Sequence, residues 1–177
     1  MKNILKKYAE SFCSSMDDWS DEEVVKTVDL FRGQWMEAVC DRARLIANVR
    51  RVEEDTEWNN IACRLIYVAL SKEISEGRDL HLVMKISRIA PVAVTYWLNY
   101  EPWLIDKNLA VPAGMPFSGR LGSEALKVRK QILDLLHLRG FFVVPRIEFE
   151  FEVKIGAGEE SARRSISGGT FFFGSKI

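Results

Sequence analysis

Histidine is nearly absent from this 177-residue chain: His81 and His137 are the only two. Cysteine is scarce as well. Cys13, Cys40 and Cys63 lie far apart, are odd in number and form no CxxC pair. So few soft ligands argue against a structural zinc site, and a scattered odd set argues against a disulfide framework. Buried thiols in a reducing compartment are the expectation. Net charge is missing too, because 25 basic residues balance 25 acidic ones. Such a chain has no global attraction to nucleic acid or to an anionic membrane. Near-zero charge instead favours association with a partner or with itself. No apolar run approaches the ~18 residues that mark a spanning helix. The N-terminal stretch MKNILKKYAESF lacks the apolar core of a signal peptide. These absences leave a single cytoplasmic domain over residues 1–177, with no cofactor or metal expected.

Catalytic signatures are also lacking. No HExxH, GxSxG or P-loop pattern occurs. Nucleophilic catalysis needs Ser or Cys beside a base that a third group holds. His81 alternates with Leu80 and Leu82 in an expected strand, and His137 falls near the end of an expected helix, where a cation suits the dipole. Structural roles fit both. The GAGEE stretch (156–160) is a lone GxG without a following apolar helix, so it reads as a hairpin loop.

What is present is an α+β pattern: a helical N-terminal half packed with a small, mostly antiparallel sheet and one further helix. Residues 1–77 read as the helical part. Ile4, Leu5, Tyr8 and Phe12 recur at helical spacing, Ser20 with Glu23 forms a capping box, and Trp35 to Val49 is periodic. VRRVEEDTEW reads as a polar break. Trp58 to Ala69 reads as another helix, running to a cap at Gly77. The sheet-containing part is 78–177. LHLVMKI (80–86) and VAVTYWLNY (92–100) are rich in β-branched and aromatic residues and read as strands. A helix starts at Ser123 and stops at Gly140. FFVV, IEFEFEVKI and TFFF read as further strands, with a glycine-rich charged stretch before the last of them. Between Glu101 and Gly122 runs a long loop with three prolines and three glycines, and loops of that length are often functional.

One stretch stands out, RIEFEFEVKI (146–155). In a strand, Phe149 and Phe151 would face the core while Glu148, Glu150 and Glu152 stand in a line ~6.5–7 Å apart on the other face. Neighbouring carboxylates repel, so the row calls for compensation. It is paired with Arg163 and Arg164 on an adjacent strand, or it is an exposed face that meets a basic partner, or it ligates metal or does acid/base work. Asp17 and Asp18 open a second acidic segment. Trp97, Tyr100 and Trp103 cluster at the mouth of the long loop and are candidate interface anchors.

The profile is similar in general character to that of small bacterial immunity or inhibitor proteins: compact, catalytically empty and with an acidic face. It implies a protein-binding domain that acts by occlusion on a basic toxin or enzyme. The partner-binding candidates are Glu148, Glu150, Glu152, Asp17, Asp18, Trp97, Tyr100 and Trp103. Two other expectations stand beside it. One is an enzyme or nucleotide-binding domain that uses the 101–122 loop; the other is a subunit of a homo-oligomeric or phage-type assembly.

Overall fold

The computed structural model describes residues 1–16, 34–55, 63–100, 114–117, 119–155 and 164–173. Its centre is a six-stranded sheet. The strands β1 (Val49–Asp55), β2 (Cys63–Leu70), β3 (Leu80–Ser87), β4 (Val92–Tyr100) and β5 (Gly114–Pro116) run antiparallel in that order. The short strand β6 (Phe142–Val143) pairs in parallel with the start of β4. Four helices accompany the sheet among the described residues: α1 (Lys2–Met16), α2 (Gln34–Arg44), α3 (Ser123–Leu138) and α4 (Gly168–Phe173). A two-stranded ribbon of β7 (Glu152–Ile155) and β8 (Arg164–Ser167) completes them.

Register explains the burial. Val52, Val68, Leu82 and Trp97 oppose one another across four strands and face the same side. All four are buried there under Val39, Cys40 and Ala43 of α2 and Ala125, Val128, Ile132 and Leu136 of α3. The i, i+3, i+7, i+11 spacing in α3 is what an apolar stripe on a helix requires. Gly140 ends that helix at φ +81. Its N–H donates to the His137 carbonyl at 2.9 Å, and the Phe141 N–H donates to that of Leu136 at 3.0 Å. This is the Schellman closure that glycine makes cheaply. On the other side of the sheet, Val92 and Val94 pack with Leu5 and Ala9 of α1, with Phe149, Phe151 and Val153, and with Phe171 to Phe173 of α4.

The expected helical half is corrected. Only α1 and α2 are helical there among the described residues, and β1 and β2 lie where helix or a polar break was expected. Leu65, Ile66 and Ala69 satisfy a helical period, but CRLIYVAL is a short, near-continuous apolar run. Such a run cannot be told from a strand by periodicity, and a strand covered on both faces needs no alternation. VRRVEED looked like a polar break because an edge strand has to bury little; from Val49 to Glu54 only Val52 is buried. Gly77 does take a positive φ of +77, yet it closes a turn back to the Lys72 carbonyl rather than a long helix.

Two further readings change. TFFF is helical because Ser167 caps it: the Thr170 N–H donates to the Ser167 hydroxyl at 3.1 Å. RIEFEFEVKI is a strand only from Glu152 on, and Arg146–Phe149 form a 3-10 turn after Pro145. No described helix is long and apolar enough to cross a membrane.

Candidate functional site

The 3-10 turn breaks up the glutamate row. Glu148 turns toward α1, where its Oε2 accepts the Lys2 N–H at 2.6 Å. A carboxylate at a helix N-terminus satisfies an orphan donor and suits the dipole. Glu148 is therefore an anchor that fixes α1 against the turn. Glu150 and Glu152 are exposed, and no ion pair joins either to a described residue. The expected pairing with arginines on the next strand is not found for Glu152, which stands opposite Ser167, while Arg164 is in register with Ile155. Arg163 lies outside the described residues.

Sequence reasoning missed the apolar part of this surface. The alternation of RIEFEFEVKI groups Ile147 with Phe149, but in a 3-10 turn residues two apart do not share a face, and Ile147 is 64% exposed. Ile4, on the helix that Glu148 anchors, is 67% exposed. Two bare isoleucines therefore sit on the elements that carry or adjoin the free carboxylates. The only signal in the sequence was Pro145, which starts the turn.

The other candidates fall elsewhere. Trp97 is a core residue, 8% exposed beneath the helices, because odd-numbered positions of β4 face that side. Tyr100 ends β4, its backbone in register with Gly114. Asp17, Asp18 and Trp103 lie outside the described residues.

The described end of the long loop forms a small cleft with the turn after β2. Ser75, Arg78, Leu80, Phe117, Arg120 and Gly122 line it, and its volume is ≈ 10 Å³, about one water. Arg78 lies over the Phe117 ring at 5.2 Å and pairs with Glu76 at 3.3 Å. Ser75 is not poised as a nucleophile, since its hydroxyl faces the carbonyls of Arg78 at 2.6 Å and Ser71 at 3.0 Å.

His81 is buried on β3, 3.2 Å from the Asp79 carboxylate, which also holds Arg50 at 2.5 Å. Burial pushes the imidazole pKa down from 6.5, and Asp79 offsets part of that. The neutral form is thus favoured in the fold. Stability tied to His81 is complete above pH ~6.5 and is lost as pH falls through the lower folded value. The expected result is that the stability of wild type falls between pH 7 and 5, and that His81→Gln flattens the fall. Urea titrations across that range measure it.

Burial pushes the thiols of Cys40 and Cys63 up, which makes them poor nucleophiles. Among the described residues no group of acids, histidines and cysteines is placed to hold a metal ion. No family model, curated protein or solved structure matches this chain.

Proposed function

We propose that this chain is a cytoplasmic protein-binding domain that occludes a basic partner, in the manner of small bacterial immunity and inhibitor proteins. The observation that carries the reading is the segment that Glu148 ties to the α1 N-terminus: Glu150 and Glu152 are exposed and in no ion pair with a described residue, and Ile147 in the preceding turn is bare. A bare apolar side chain among polar groups marks a contact site, and carboxylates in no ion pair suit a basic partner. The described end of the long loop supports chemistry less well, since its cleft admits only about one water.

The test separates the three glutamates. Glu148 is left in place because it caps α1. In a Glu150→Gln/Glu152→Gln variant, association with a partner captured by wild type is expected to slow about tenfold at low ionic strength and to lose most of its salt dependence. Circular dichroism should be unchanged. Unaltered association, or a captured partner that is acidic, overturns the proposal. Nucleotide bound by the purified protein, and lost on Arg78→Ala, would move function to the cleft.

A further inference from the structure

The edge strand β1 reads VRRVEED. It is bonded on one side only, to β2, and no described residue pairs with its other edge. The charges of residues 50–54 are antisymmetric about Val52. When two copies are laid antiparallel with Val52 opposite Val52, Arg51 faces Glu53 and Arg50 faces Glu54, each twice by symmetry. We propose that β1 is a homodimer seam, through which two copies of this chain pair edge to edge about a two-fold axis.

Three observations support this occupant. Arg51 and Glu53 lie on the same face, are 61% and 39% exposed, and pair within one chain at 2.7 Å. The two-fold therefore closes two such pairs into a ring of four charges of alternating sign, with cross-strand Cβ atoms about 5 Å apart. Charged edges ordinarily deter pairing because like charges meet. Here parallel, in-register pairing would stack arginine on arginine and glutamate on glutamate, whereas antiparallel pairing alone matches opposites. Finally, a chain with 25 basic and 25 acidic residues carries no net repulsion against its own copy.

The bulge between Val49 and Arg51 confines the regular ladder to Arg51–Asp55. Arg50 already pairs with Asp79 at 2.5 Å, and Glu54 with Arg64 at 3.2 Å. The seam thus rests on the Arg51–Glu53 pair. A strand edge buries less than the ~1,600 Å² of a standard interface, so the dimer is reversible. It is also independent of the surface at Glu150 and Glu152.

Sedimentation velocity over a concentration series is the test. The average mass of wild type should rise above the 20.3 kDa chain and fall back on adding salt. Arg51→Glu sets carboxylate against carboxylate across the axis, and Glu53→Arg sets guanidinium against guanidinium. Each should weaken dimerisation at least about tenfold. Mixing the two variants one to one places glutamates at 51 and 53 against arginines at 53 and 51 and should restore the dimer, as should the double variant. A wild type that stays monomeric overturns the proposal. So does a dimer that the single variants leave intact, or a mixture no stronger than its components.

Discussion

Replacing Phe149 by Ala should cost about 3–5 kcal/mol of folding stability, as for other fully buried phenylalanines. Phe149 is 2% exposed. Its ring meets Phe172 edge-on at 5.6 Å and Phe173 at 5.0 Å between centroids. Phe172 stacks in turn on Tyr8 of α1 at 6.0 Å, and the Tyr8 hydroxyl donates to the Ile89 carbonyl beside β4. Removing the ring opens a void where the turn, α4 and α1 converge, and three separate elements cannot all collapse into it. Ile147→Ala, two residues earlier, should change stability by no more than about 0.5 kcal/mol, since that side chain is bare. The contrast tests the geometry. In a strand the two residues share a face and would lose comparable amounts; in the 3-10 turn they do not. Urea midpoints at unchanged m-value measure both.

How much of this was legible depended on whether a pattern had one physical reading. LHLVMKI and VAVTYWLNY were legible as strands because Val, Ile, Thr and aromatic residues fit a pleated surface and a Pro-containing turn separates them. The α3 helix was legible from its apolar stripe and from Gly140. CRLIYVAL was not, because a run apolar on every side erases the period that distinguishes helix from strand. The charged β1 was not, because what makes it a strand is its pairing with β2, a contact some 15 residues away in sequence. TFFF failed for a smaller reason. Three phenylalanines favour a strand by propensity, but the Ser167 cap and two glycines let the backbone turn at once into α4.

The candidate site was legible only in part. Alternation in FEFEV set Phe149 and Phe151 inward, and both are buried. It could not tell that Glu148 would be drawn off to α1, since that partner lies 146 residues away. The burial of Trp97 was not legible either. A Trp near a loop resembles an interface anchor, yet the parity of β4 fixes which residues face the helices, and parity is set by register against β3 rather than by composition.

The second large effect is expected at Gly168, which looked in the sequence like loop punctuation. Its N–H donates to the Phe151 carbonyl at 2.7 Å. A Cβ built there would lie 2.6 Å from the end of the Phe151 ring and 2.8 Å from the Phe149 carbonyl oxygen. The ring is itself a core group, and the oxygen belongs to the backbone at the end of the 3-10 turn, so neither yields by a simple rotamer change. Gly168→Ala must then push α4 away from the turn and loosen the Phe149–Phe172–Phe173 cluster at its tightest point. The expected loss is about 1–3 kcal/mol, the usual range for overpacking a close contact. Gly122→Ala is the matched control. Its φ is −68, which any L-residue accepts, and the nearest atom to its Cβ would be 3.9 Å away. With no clash, and with a less flexible unfolded chain, that change should be near neutral. Thermal melts of the two variants decide the matter: equal shifts would mean that the approach of α4 to Phe151 is not what requires glycine at 168.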